Sequence, residues 1–207
     1  FPPKEGGVWE EHHAYNAWCG DSWLTQETID ALLGPSERLE ELVEKGQILQ
    51  AEGFKGLFEE ARRQKPTCGM ALNWCFNEPW PTAANNSLVC WPASPKPALE
   101  AVRDALRPVL ASARIRRFDW RASENLPLQL WLLSDSPEPV LGGKMLVSLN
   151  GEKLEDWTFG EAEPGQNLQG PWITLPLNDL QPGLFKISLE VEGRTELNSQ
   201  YVLSLLE

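Results

Sequence analysis

Residues 72–81 read LNWCFNEPWP, and how this stretch is understood decides the fold. Up to Phe76 it completes an apolar run, GMALNWCF, that begins at Gly69 and is broken only by Asn73. A run of that length without polar alternation predicts a strand covered on both faces, as in a parallel sheet or a barrel. Five prolines between Asn77 and Pro97 then forbid a regular element, so the strand must open into a long irregular loop.

Downstream, Pro97 suits the first position of a helix whose apolar side carries Ala98, Leu99, Val102, Ala105 and Leu106, ending at Pro108. Upstream, Ser36 offers an N-cap and Glu37, Glu40 and Glu41 an acidic first turn for a long helix over roughly 37–64. Leu39, Leu42, Val43, Gly46, Leu49, Gly53, Leu57 and Ala61 recur at steps of three and four, which predicts one buried stripe. Each glycine costs about 1 kcal/mol relative to alanine in a helix, so Gly46 and Gly53 predict a close approach, with a sheet as the expected neighbour. A shorter helix is expected over Gln26–Leu33, stopped by Gly34-Pro35, and residues 1–25 read as aromatic, Pro- and Gly-rich loop. Helix, strand, long loop and helix together are the grammar of an α/β unit.

That grammar changes near Leu110. Strand-length runs follow at 113–121, 128–133, 144–149, 172–177, 184–191 and 199–206, with turns at Asn150-Gly151 and Pro182-Gly183. Six or seven strands in about 95 residues predict an immunoglobulin-type β-sandwich with Trp131 as its core tryptophan. The fold class is therefore α/β plus all-β, with domains at 1–109 and 110–207.

Thirty acidic against eighteen basic residues give a net charge of −12, spread along the chain, which argues against a nucleic-acid partner. No apolar run approaches the roughly 20 residues of a membrane span, and no signal peptide precedes the folded pattern, although Phe1 need not be the natural start. Nothing in the sequence fixes a compartment. Cys19, Cys68, Cys75 and Cys90 lack C-x-x-C spacing and the two histidines, His12 and His13, are adjacent, so neither a metal site nor any other cofactor is expected. Cys68, Cys75 and Cys90 read as buried free thiols, with disulfides as the alternative. Ten tryptophans are many for this length, and five of them fall in the first eighty residues. Indole faces either fill cores or form platforms for the C–H faces of sugars.

The order of motifs over residues 50–109, QAEGFKGLFEEARRQKPTCGMALNWCFNEPWPTAANNSLVCWPASPKPALEAVRDALRPV, resembles the C-terminal part of family 2 glycoside hydrolases. The nearest branch is that of the β-mannosidases and exo-β-glucosaminidases, with β-galactosidases more distant. The matching features are a helix opening on Gln-Ala and closing on Arg, a Gly-led strand carrying Trp, an acidic loop ending Trp-Pro, then Pro-Lys-Pro-Ala and a last helix. FPPKEGGVWEEHHAYNAW, residues 1–18, is similar to a Pro-rich Trp-x-x-His stretch of the same family.

The resemblance implies the remnant of a (β/α)8 TIM barrel, with residues 69–81 as its eighth strand and loop, followed by the sandwich. Only one helix follows before the strands begin, whereas a full barrel takes about 250 residues; Glu78 is therefore not the acid found after a fourth strand. A retaining glycosidase needs two carboxylates about 5–5.5 Å apart, and this placement puts both outside the chain. Glu5, Glu10 and Glu11 do not end an apolar strand-like run. The implied function is that of the C-terminal portion of an exo-acting, retaining β-glycoside hydrolase, β-mannosidase-like, which supplies pocket residues but no catalytic carboxylate.

Trp74, Asn77, Glu78 and Trp80 are the implied substrate-binding residues, Trp74 as a wall of the subsite and Asn77 as a partner for a sugar hydroxyl. Against this stand Trp74 as plain core and Asn77 as a residue ordering its own loop. The family usually has Asn-Asp where this chain has Asn77-Glu78, so the longer side chain shifts its contacts. His12 and His13 either touch the substrate loop or satisfy nearby backbone, and Lys96 is expected to position the loop. The implied partners are a β-linked carbohydrate and the missing N-terminal part of the barrel, or a second copy of the chain. The competing class is a non-catalytic carbohydrate-binding or interaction module built on the sandwich.

Overall fold

The computed structural model describes residues 7–12 and 24–207. The chain divides into two compact units, residues 1–54 with 70–102 and residues 55–69 with 103–207. Cys19 and His13 lie outside the described residues.

In the first unit α1 (Gly7–Glu11) is a single turn and α2 (Gln26–Leu33) occupies the expected residues. α3 (Leu39–Arg63) begins in this unit and continues into the second. Leu42 is buried, but Leu39, Val43 and Leu57 are exposed, so the predicted stripe is only partly covered. Gly46 does make a close approach, though to a helix rather than a sheet: a Cβ there would lie 3.4 Å from the Ile29 side chain of α2, while at Gly53 it would meet open space.

The expected strand over 69–76 is not formed. Met70, Leu72, Trp74 and Phe76 are all exposed, and among the described residues the ladder contact at the end of the run is a parallel bridge from Asn77 to Val89. A parallel strand is stable only with neighbours to complete its hydrogen bonds and cover its faces, and here the pairing is confined to the end of the run, where Leu88 and Val89 donate to the Phe76 carbonyl. β1 (Val89–Cys90) and β2 (Ser94–Pro95) pair antiparallel next to it, and α4 (Pro97–Ala105) follows. Cys68, Cys75 and Cys90 are free thiols as expected, but half-buried.

The second unit is mostly β. β3 (Val109–Ile115), β5 (Asn125–Ser134) and β8 (Leu168–Pro176) form a three-stranded antiparallel sheet. β4 (Asp119–Arg121), β6 (Gly143–Leu149), β7 (Glu152–Phe159), β9 (Gly183–Val191) and β10 (Ser199–Leu206) form a five-stranded sheet in the order β4-β10-β9-β6-β7. Both sheets bury alternate residues in one core, Leu126, Leu128 and Leu130 from one and Met145, Phe185 and Ile187 from the other. Each fully buried side chain of this kind contributes about 1.5–3 kcal/mol. The core tryptophan is Trp120, 4% exposed, and not Trp131, which is half-buried. Trp131 lies on β5 between the core residues Leu130 and Leu132 and so points to the opposite face, where its Nε1 donates to Gln129 Oε1 at 3.2 Å.

The C-terminal end of α3 is fastened onto these sheets by charge. Glu59 Oε2 accepts from Ser112 Oγ at 2.6 Å, Tyr201 Oη at 2.8 Å and Arg63 at 3.0 Å. Arg62 donates to the carbonyls of Ala105 and Pro108 and pairs with Asp135, and Lys65 reaches Asp135 and the carbonyl of Ser134. Burial first, and then the Glu59 charge, push the Tyr201 phenol well above its ordinary range.

Candidate functional site

The stretch from Asn73 to Lys96 is irregular but heavily anchored. Its centre is Glu78, only 4% exposed, whose backbone N–H donates to the Val89 carbonyl at 3.0 Å. One carboxylate oxygen accepts from Ser87 Oγ and from Lys96 Nζ, each at 3.0 Å, and the other from the Trp91 N–H at 3.0 Å. Burial alone would raise its pKa; the Trp91 N–H, the Lys96 ammonium and the Ser87 hydroxyl outweigh that and hold it below the ordinary carboxylate value. Lys96 Nζ also donates to the Asn85 carbonyl at 3.0 Å, and Gln50 Nε2 of α3 donates to the Ser87 carbonyl at 3.2 Å. Lys96 thus positions the loop, as expected.

The four predicted site residues differ in their surroundings. Trp74 stands out, 83% exposed, next to a cis Trp74–Cys75 peptide. Asn77 is exposed, and its Nδ2 donates to the neighbouring Glu78 carbonyl at 3.2 Å. Trp80 is half-buried, with the His12 ring stacked on it at 5.2 Å and 25°. Glu78 lies beneath the loop with its carboxylate oxygens engaged by protein donors, so it shapes the surface and does not offer a free carboxylate. The sequence left the contacts of Glu78 open; its side chain reaches Lys96, eighteen residues on.

His12 meets this loop at two further points. Its Nδ1 lies 2.7 Å from the Pro81 carbonyl oxygen, and its own carbonyl accepts from the Ala83 N–H at 2.6 Å. The sequence signal for it was the Trp9-x-x-His12 spacing, which left open whether the ring serves substrate or backbone. Cys90, beside the ion pair, has its thiol pushed up by burial and by Glu78 against the opposing pull of Lys96, and so stays protonated. Among the described residues no cluster of three or more His, Cys, Asp or Glu could hold a metal ion, and no helix is long and apolar enough to cross a membrane.

No family model matches the chain. Relatives are found by sequence: β-mannosidase B of Emericella nidulans is 34% identical over 104 residues, 46% of this chain, and that of Aspergillus niger 33% identical over 112 residues, 50% of it. The matched parts span only 12% and 13% of those proteins. Among solved structures, one of the exo-β-D-glucosaminidase CsxA superposes on 95% of this chain with a TM-score of 0.73 at 17% identity, and one of the Amycolatopsis orientalis exo-chitosanase CsxA with 0.67 at 18%. Each covers 24% of the CsxA chain and shows likeness of fold. Sequence kinship to β-mannosidases and a fold shared with an exo-β-D-glucosaminidase agree with the motif order read above: the chain is related to glycoside hydrolases and resembles the C-terminal part of a family 2 enzyme.

Proposed function

We propose that residues 1–109 are the closing segment of a (β/α)8 barrel and 110–207 an immunoglobulin-like sandwich, together the C-terminal portion of an exo-acting, retaining β-glycoside hydrolase of β-mannosidase type. In this reading Trp74 is the platform on which the C–H face of a β-linked sugar lies, with Asn77 and Trp80 beside it and Glu78 holding the loop from below. The observation that carries it is the pairing of a fully presented indole at Trp74 with a loop locked by the buried Glu78–Lys96 pair. A rigid loop is what substrate positioning requires, because a misplacement of about 1 Å costs on the order of 10²-fold in rate. Hydrolysis with retention needs two carboxylates about 5–5.5 Å apart, and these are supplied by polypeptide that completes the barrel. The exposed side chains of Met70, Leu72 and Phe76 are where that polypeptide packs, leaving the Trp74 indole to the sugar.

The test has two arms. The purified 207-residue chain should not hydrolyse p-nitrophenyl β-D-mannopyranoside, whereas a longer polypeptide restoring the barrel should. Titration of the chain with methyl β-D-mannopyranoside should change its tryptophan fluorescence, and Trp74→Ala should abolish the change; turnover by the chain alone, or a response indifferent to Trp74→Ala, would overturn the reading. A carbohydrate-binding module without catalysis is the second reading, favoured by Trp172, a 46% exposed indole on β8 under the Arg116 guanidinium at 5.2 Å. A fluorescence response lost in Trp172→Ala and kept in Trp74→Ala would select it.

A further inference from the structure

Residues 114–117 read RIRR, three guanidinium groups in four residues of a chain whose net charge is −12. Alternation sorts them. Ala113 and Ile115 of β3 pack into the core of the second unit, so Arg114 on β3 and Arg116 just past its end project from the outer face of the three-stranded sheet. By the same alternation Gln129 of β5, between the core residues Leu128 and Leu130, and Trp172 of β8, beside the core-packed Ile173, lie on that face. The register joins Arg114, Gln129 and Trp172 into one rung across the sheet. Its middle is fixed: Gln129 is 3% exposed, its Oε1 accepts from Trp131 Nε1 at 3.2 Å, and its Nε2 donates to the Gly170 carbonyl at 3.3 Å. Arg114 pairs with Glu60 at 2.6 Å and Arg117 with Glu124 at 2.5 Å. The exposed Arg116 guanidinium instead lies 5.2 Å from the centre of the Trp172 ring, which is itself 46% exposed. That is within the ~6 Å over which an aromatic ring attracts a cation.

A guanidinium resting on an aromatic ring keeps its N–H donors, which lie in its own plane, available to an anion. Carboxylates take such a fork through two parallel hydrogen bonds. The indole beside it is the kind of surface on which the C–H face of a pyranose lies. We propose that Trp172 and Arg116 form a glycan site on the outer face of the three-stranded sheet, selective for a sugar that carries a carboxylate, a hexuronate residue. Charge complementarity sets that class. Glu60 neutralises Arg114, so the charge set beside the indole is the positive one of Arg116, and a neutral hexose would leave it unanswered. The site uses none of the residues of the 73–96 loop and stands whether or not that loop binds sugar.

The experiment follows the indole N–H signals of the full chain by proton–nitrogen NMR, the Trp172 signal being the one missing in Trp172→Phe. Methyl β-D-glucopyranosiduronate should move that signal to saturation, and added salt should weaken the response. Sodium acetate and methyl β-D-glucopyranoside, at the same concentration, should move it far less. Arg116→Gln should weaken uronate binding by about three- to tenfold, the loss expected for a charge-assisted contact that solvent partly screens. Trp74→Ala should leave the binding unchanged. A Trp172 signal indifferent to the uronate overturns the proposal, as does full affinity in Arg116→Gln. An equal response to acetate reduces the site to an anion spot without sugar recognition, and an equal response to the neutral glycoside removes the charge from it; either outcome overturns the proposal. Binding lost in Trp74→Ala belongs to the loop and overturns it as well. A Trp172 signal moved by poly-L-glutamate and not by the uronate marks a protein-facing surface, and the glycan site falls.

Discussion

Glu78 illustrates how one side chain sets the character of a surface it never reaches. Its carboxylate is stabilised by three donors at 3.0 Å, of which Lys96 carries a charge that burial leaves without another carboxylate. Glu78→Gln should lower stability by about 1.5–3 kcal/mol at neutral pH, the range for a hydrogen bond to a charged group, measured as a shift in urea midpoint at constant slope. Because the folded pKa lies below the ordinary value, Glu78 contributes fully above pH ~4.3, and the contribution is lost as pH falls through the depressed folded value. The gap between wild type and variant should therefore close on acidification. At Tyr201, removal of the hydroxyl in Tyr201→Phe should cost about 1–3 kcal/mol, since both the Ala113 N–H and Glu59 lose a partner at once. These networks were not legible in the sequence, because Glu59, Ser112 and Tyr201 are 53 and 89 residues apart along the chain from first to second and second to third. Tryptophans misled for a related reason: Trp120 and Trp131 both sit in strands, and only the pairing register shows which of them faces inward.

At the scale of elements, local chemistry was readable where it is self-contained. Asn150 and Gly151 both adopt positive φ, 48° and 88°, as the two-residue turn between β6 and β7 requires. β7 itself was missed: Glu152, Lys153, Glu155 and Asp156 give it the profile of a loop, but it is an edge strand, where charge guards against unwanted pairing. The run from Gly69 to Phe76 erred the other way, since apolar content announces burial without saying which chain performs it. One further element-scale test concerns β8, where the pairing with β5 shifts register and Gly170 presses against its neighbours. A Cβ at Gly170 would lie 2.9 Å from both the Leu130 carbonyl oxygen and the Trp157 ring. Gly170→Ala should cost about 1–3 kcal/mol, as overpacking does, read as a lowered midpoint of thermal unfolding.

For the molecule as a whole, Met70, Leu72, Trp74 and Phe76 are four exposed apolar side chains within seven residues, with Leu72 82% exposed. Exposed apolar side chains gathered in one short segment favour association. The isolated chain should self-associate in sedimentation velocity as concentration rises, and Leu72→Lys should suppress it while leaving stability within about 0.5 kcal/mol, as for an ordinary surface change. Unchanged association in Leu72→Lys would place the sticky surface elsewhere. The mostly β character of the second unit was legible from the strand-length runs after Leu110, and the kinship to glycoside hydrolases from the order of motifs along residues 50–109, because spacing survives where individual contacts do not. What could not be read was that residues 55–69 group with residues 103–207, where Arg62 and Lys65 pair with Asp135.

The place of β10 has a further effect on how this molecule comes into being. β4 has β10 as its sole neighbour in the five-stranded sheet, running parallel to it, and β9 takes β10 on its other side. Roughly 80 residues must emerge from the ribosome between the first of these strands and the last, which at about 5–20 residues per second keeps β4 waiting some 4–16 s. Until then the β4–β10 pairing cannot form, and Trp120 waits without Leu205, its partner in the parallel register.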